Sequence, residues 1–174
     1  MMKCTILCLG MIFLFGRGQL YSQTDKPCPC CSEKYRQFDF WIGDWITTTT
    51  NGDTAGFNRV VVLEDQCILQ ENWSSATSPY TGSSYNYYDP QDDQWHQTWV
   101  DNQGQSLRLS GNRIDNNMVL KSKAMKDQQG NPVFHRITWT ANADGTVRQH
   151  WESSQDGESN WITAFDGLYH PGKR

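Results

Sequence analysis

The sequence predicts an all-β domain: a single antiparallel up-and-down β-barrel of about ten strands, preceded by a short helical turn. Three observations point there. Beyond residue 40 the chain reads as short segments of alternating apolar and polar residues, broken by turn chemistry at "NGD", "DPQDD", "DNQGQ", "DNN", "QQGNP", "NADG" and "SQDGES". No segment keeps a 3.6-residue apolar period for three turns. A meander this long leaves two open edges unless it closes on itself. A two-sheet sandwich shares the strand count; the polar content of the inward face favours the barrel.

Residues 1–22 read as a secretory signal peptide. Lys3 precedes an apolar run from Cys4 to Phe15, and Leu20-Tyr21-Ser22 supplies a cleavage site before Gln23. The run is too short to span a bilayer, and Leu7 stands where a lipobox before Cys8 needs a small residue. Removing these 22 residues from 174 leaves 152, enough for one domain that buries about 70% of its extended-chain surface. Lys3 and Arg17 leave with the signal, so 13 basic residues face 19 acidic ones, a net charge of −6. That balance attracts neither nucleic acid nor an anionic membrane surface. The expectation is a secreted or periplasmic protein without a membrane span, and a monomer.

Residues 23–35 form a Cys-rich leader. Cys28, Cys30, Cys31 and Cys67 remain after cleavage, and export favours a disulfide. The expected pair is Cys31 with Cys67, because Cys31 lies nearest the folded segment; such a link adds about 3–4 kcal/mol in the chain-entropy model. A zinc site built on all four thiolates is the alternative, although paired CxxC spacing is missing.

The barrel domain spans residues 36–170. Within "SEKYRQFDFWI" a short helix leads into strands expected at 44–50, 57–65, 67–75, 82–88, 95–101, 105–111, 117–124, 133–140, 146–153 and 160–168. The turn "DPQDD" sets Tyr88 opposite Trp95, Asn86 opposite Gln97 and Ser84 opposite Trp99. The three-residue loop in "DNQGQ" then sets Trp99 against Leu107 and Gln97 against Leu109. This face holds both tryptophans and both leucines, so it points inward. The same rule turns Leu69, Glu71 and Trp73 inward, with His135, Ile137 and Trp139, and with Val147, Gln149 and Trp151. An unpaired buried amide or carboxylate costs about 1–3 kcal/mol, so a solid core tolerates Glu71, Asn86, Gln97, His135 and Gln149 poorly. A partly wet or ligand-filled lumen accommodates them. The alternative is that these groups bond one another and enclose no space.

"FWIGDW" is similar to the Gly-x-Trp signature of lipocalins and the wider calycins. The combination of "RQFDFWIGDW", "YNYYDPQDDQWHQTWVDN", "HRITWT", "VRQHWESSQDG" and "FDGLY" resembles a family of secreted bacterial proteins with a lipocalin-like or nitrobindin-like barrel, over about residues 33–170. The resemblance implies a calycin-like fold and brings no activity with it. It implies that Gly43 lets the backbone pass close and that Trp45 closes the barrel's base beside Phe38, Phe40 and Trp41. Nitrobindin-like barrels bind haem through one histidine, which directs attention to His135 and His150; otherwise no cofactor or metal is expected.

The functional expectation is a binding protein for a small amphipathic or hydrophobic ligand. Trp73, Tyr88, Trp99, Trp139 and Trp151 would give contact area, and Glu71, Asn86, Gln97, His135 and Gln149 would orient the ligand. Three alternatives stay open: an enzyme with His135 and Glu71 as an acid–base pair, a carbohydrate or surface-interaction module built on outward Tyr85, Tyr87 and His96, and haem binding through His135. Glu71 with Asp101 is a further carboxylate pair of the kind that cleaves glycosides. No G-x-S-x-G, H-E-x-x-H or Gly-rich phosphate loop is present, so catalytic residues stay unassigned.

Overall fold

The computed structural model describes residues 28–157 and 159–172, so the signal segment 1–22 lies outside the described residues. A helical turn α1 (Glu33–Arg36) and a 3-10 turn (Asp39–Trp41) precede β1 (Gly43–Thr49). There follow β2 (Thr54–Leu63), β3 (Ile68–Ser75), β4 (Thr81–Asp89), β5 (Gln94–Asp101), β6 (Ser106–Ile114) and β7 (Asn117–Lys121). The two-residue β8 (Met125–Lys126), β9 (Pro132–Ala141), β10 (Val147–Ser154) and β11 (Ile162–Pro171) complete the chain. Each strand pairs antiparallel with the next from β1 to β7; β7 then pairs with β9, β9 with β10, β10 with β11, and β11 with β1. Ten strands thus close a barrel, and β8 adds a short ladder on β9. Among the described residues no helix is long and apolar enough to cross a membrane.

The expected registers hold. Tyr88 faces Trp95, Asn86 faces Gln97 and Ser84 faces Trp99; Trp99 faces Leu107 and Gln97 faces Leu109. The loop 101–105 is a three-residue hairpin turn in which Asp101 N–H donates to Gln105 O at 3.1 Å. Gly104 there has φ of 79°, the left-handed position that such a turn requires. Loops 49–53, 127–131 and 142–146 close on the same hydrogen-bond pattern. The expected strand 117–124 stops at Lys121 as β7, and the chain resumes pairing only at β8.

One end of the barrel is plugged by the aromatics of the opening turn. Phe38 and Trp41 are fully buried, their rings stacked at 5.1 Å, with Phe38 edge-on to Trp95 at 5.6 Å and to Trp139 at 5.2 Å. Trp45 Nε1 donates to Trp41 O at 2.9 Å, and Gly43, with φ of 149°, brings the chain past this indole. Arg113 Nη1 donates to Gln37 O at 3.0 Å, and Trp95 Nε1 to Lys34 O at 3.2 Å, so the turn is stitched to the rim it covers.

The expected Cys31–Cys67 bridge is corrected by the structure. Cys30 bonds Cys67 and Cys28 bonds Cys31, with Cα–Cα distances of 5.1 and 5.4 Å. A tight turn causes the exchange: Cys31 N–H donates to Cys28 O at 3.3 Å, which brings the first and last cysteines together. Cys30, buried between them, is aimed at the plugged end of the barrel, while Cys31 is exposed. No thiolate of the four is left for zinc.

Candidate functional site

Toward the opposite end, between loops 50–53, 76–80 and 102–105, the barrel holds an open cavity of about 330 Å³. This is at the lower end of the range for small-molecule sites. Trp73 on β3, Trp99 on β5, Trp151 on β10 and Phe165 on β11 wall it, with Leu107 and Ile137 between them. These rings lie against the barrel wall because small inward residues make room. A Cβ on Gly82 would fall 2.1 Å from the Trp99 ring, and one on Gly56 would fall 2.5 Å from the Trp73 ring. Glycine opposite an aromatic therefore keeps each indole out of the lumen's centre.

The mouth has its own device. The register of β1 with β2 shifts between Thr47 and Thr48, which leaves Ala55 as an extra residue on β2. The register of β10 with β11 shifts between Trp151 and Glu152, which leaves Ala164 as an extra residue on β11. Both extra alanines line the cavity. Bulges at a barrel rim re-aim side chains in this way.

The floor is polar. Glu71, Gln97, Gln149 and Tyr169 line the cavity's inner end and are all buried. Asn58 Nδ2 donates to Glu71 Oε1 at 2.9 Å, and Ser84 Oγ donates to Glu71 Oε2 at 2.7 Å. Asn86 Nδ2 donates both to Ser84 Oγ, at 2.9 Å, and to Leu69 O, at 3.1 Å. A backbone carbonyl only accepts, so the Asn86 amide is held in one orientation and its Oδ1 receives Gln97 Nε2 at 2.8 Å. The donors run Gln97 to Asn86 to Ser84 to Glu71, all pointing at the carboxylate. Burial pushes the Glu71 carboxyl up from 4.5 to about 7, against the bonds from Ser84 and Asn58 that hold it down. Tyr169 OH donates to Gln149 Oε1; burial, and next the Glu71 charge, push its hydroxyl well above the usual phenol range. Asn58 Oδ1 is buried without a hydrogen-bond partner among the described residues.

Of the ten residues expected to meet a ligand, Glu71, Trp73, Gln97, Trp99, Gln149 and Trp151 line the cavity. Asn86 lies beneath it, wholly buried in the hydrogen-bond chain, and Trp139 belongs to the aromatic plug. Tyr88 stands at the plugged end, where its hydroxyl donates to Asp93 at 2.6 Å and its ring meets Tyr35 edge-on at 5.0 Å. His135 is half-buried outside the cavity lining, its Nδ1 accepting Trp151 Nε1 at 3.1 Å. It positions that indole, and burial lowers its own pKa toward the neutral ring that can accept.

These placements bear on the alternatives. No hydrogen bond joins His135 to Glu71 among the described residues, and only Glu71 faces the cavity. Asp101 is tied into its turn by the N–H groups of Gln103 and Gln105 and by Tyr80 OH, and unlike Glu71 it does not line the cavity. The residues do not fit a haem held by His135, whose Nδ1 is engaged and whose ring is not part of the lumen wall; His150 bonds Thr163 at 3.0 Å on the strand's outward side. Outside, Tyr85 and Tyr87 are exposed, and His96 stacks on Tyr87 at 5.4 Å. Asp89, Asp92 and His96 approach metal-ligand proximity there, with His96 Nε2 engaged by the Asp92 carboxylate at 3.0 Å.

Tyr169, Phe165, Tyr80, Ala55 and Ala164 also line the cavity, beyond the residues that the sequence pattern turns inward. The signal for Phe165 and Tyr169 was the alternation Phe165-x-Gly167-x-Tyr169, which continues past the strand end expected at 168. No known protein-family model matches the chain, and no curated protein matches it.

Proposed function

We propose that this protein is an exported small-molecule-binding protein, a lipocalin-like or nitrobindin-like barrel whose lumen takes one ligand with apolar and polar parts, and that it works as a monomer. One observation carries the reading. The lumen keeps about 330 Å³ of space between aromatic walls and a polar floor instead of collapsing onto its own side chains. A barrel that needed only stability would fill that volume, because an apolar void forfeits contact energy on every lining atom. The glycines behind Trp73 and Trp99 support the same reading, since a larger residue at either position would push an indole into the space. Two disulfides support export to an oxidising compartment.

Native mass spectrometry of the protein purified from its own host tests this. The expected result is a discrete non-covalent adduct that dissociates on activation and is missing from Leu107→Trp, in which an indole occupies the lumen. A bare mass, together with no tryptophan fluorescence change when the protein meets a host metabolite extract, contradicts it.

A further inference from the structure

We propose that the ligand is an organic cation: an ammonium group seated on Glu71, carried on an apolar body that lies between Trp73, Trp99 and Trp151. This deepens the lumen-binding reading and rests on it.

The floor of the cavity holds a buried carboxyl group that has no counter-ion in the protein. Glu71 is the only carboxylate in the cavity lining, and no Lys, Arg or His lines it among the described residues. The two bonds it accepts come from neutral groups, an amide and a hydroxyl, so a carboxylate with about four acceptor sites keeps capacity for more donors. Ser84 Oγ already receives Asn86 Nδ2, so its single proton is committed to Glu71. Asn86 is in turn locked by Leu69 O, so the chain of dipoles cannot reverse without leaving a backbone carbonyl short of its donor. Dipoles fixed in that sense favour the anion, yet the anion is desolvated and unpaired. A buried charge of that kind calls for an opposite charge, and the opening on its free side is the cavity.

The walls suit the same guest. An ammonium or its adjacent methylenes gains cation–π attraction from indole faces, and Trp gives the strongest of these. Trp73 and Tyr169, with ring centroids 6.5 Å apart, line the cavity together with the carboxylate. An anion meets the opposite situation: its carboxylate would lie against Glu71 with no base to offset the repulsion. A neutral alcohol fills the walls and donates or accepts at the floor, but gains only a charge-assisted hydrogen bond where a cation also gains an ion pair.

Calorimetric titration with three matched probe series, phenylalkylamines, phenylalkanols and phenylalkanoates with side chains of two to six carbons, separates these cases. At pH 8.5 the best amine is expected to bind at least tenfold more tightly than its alcohol, with the carboxylate undetected. Lowering the pH to 5.5 weakens the amine by a similar factor and changes the alcohol far less, because the amine stays charged while Glu71 takes up a proton. Tyr80, raised to about 12, and Tyr169 are the other titratable groups facing this carboxylate, and neither ionises in that range. Glu71→Gln is expected to erase the amine's advantage while keeping the alcohol's affinity, and Glu71→Asp to restore part of the preference. Equal affinities for amine and alcohol, or an amine preference that survives Glu71→Gln, overturn the cation assignment and leave the lumen reading intact. Failure of all three series, in a protein that also carries no adduct from its host, overturns both.

Discussion

Replacing Glu71 by Gln should stabilise this protein, and by an amount that depends on pH in one direction only. The substitution keeps the shape of the side chain. Its carbonyl oxygen takes the Ser84 proton, and its NH₂ meets Asn58, which needs only to turn its amide over. The turned amide offers Oδ1, the atom that lacks a partner in the native floor, and puts Nδ2 in its former place, so the number of unpartnered amide atoms is unchanged. The magnitude follows from the carboxyl itself. Burial raises it from 4.5 to about 7, so the folded state holds a proton that the unfolded chain has released, and ionisation costs the fold about 3 kcal/mol. Below pH 4.5 both states are protonated and the penalty is absent. It grows as pH rises through the interval and is complete above about pH 8. Glu71→Gln should therefore match the native protein near pH 4.5 and exceed it by about 3 kcal/mol at pH 8.5, a large share of the 5–15 kcal/mol typical of a domain. Urea unfolding followed by tryptophan fluorescence at pH 4.5, 5.5, 7 and 8.5, with disulfides intact, measures it. Every other titrating group is common to both proteins and cancels in the difference. A gap that stays constant across that range would show that Glu71 titrates like an exposed carboxylate, and the desolvated floor would be refuted.

Gly82→Ala places a Cβ 2.1 Å from the Trp99 ring; we expect a loss of about 1–3 kcal/mol in chemical denaturation and weaker binding of any lumen probe, as the indole is driven inward. Phe38→Ala empties the centre of the aromatic plug and should cost about 3–5 kcal/mol by the same assay, with the lumen's walls unchanged. Replacing Cys30 and Cys67 together by Ser releases a link of 37 residues and should lower stability by about 4 kcal/mol, whereas the Cys28 and Cys31 double replacement, with a separation of 3, should lower it by about 2. Equal losses for the two pairs would contradict the assigned connectivity.

In-and-out assignment was legible because tight turns fix register: once Tyr88 is set against Trp95, every partner from Gly82 to Leu109 follows from a period of two. Depth along the barrel axis was not legible. Alternation assigns Trp139 and Trp151 to one interior, but only the position of the Phe38–Trp41 turn makes the first part of a plug and the second part of a wall. Asn86 and Tyr88 moved out of the cavity for the same reason. The space itself depends on Gly82 lying beneath Trp99 and Gly56 beneath Trp73, contacts between strands that no local pattern encodes. Ala55 and Ala164 escaped because a bulge breaks the alternation where they stand. The cysteines show the limit of nearness in sequence: Cys30 and Cys31 are neighbours, yet only one is turned toward the barrel.

A crystal structure of the protein purified from its own host, without refolding, bears on the hollow lumen most directly. We expect discrete density for an organic molecule between Trp73, Trp99 and Trp151, with its polar end at hydrogen-bond distance, about 3 Å, from Glu71. Indoles swung inward to fill that volume themselves, leaving no room beside the carboxylate, would contradict it.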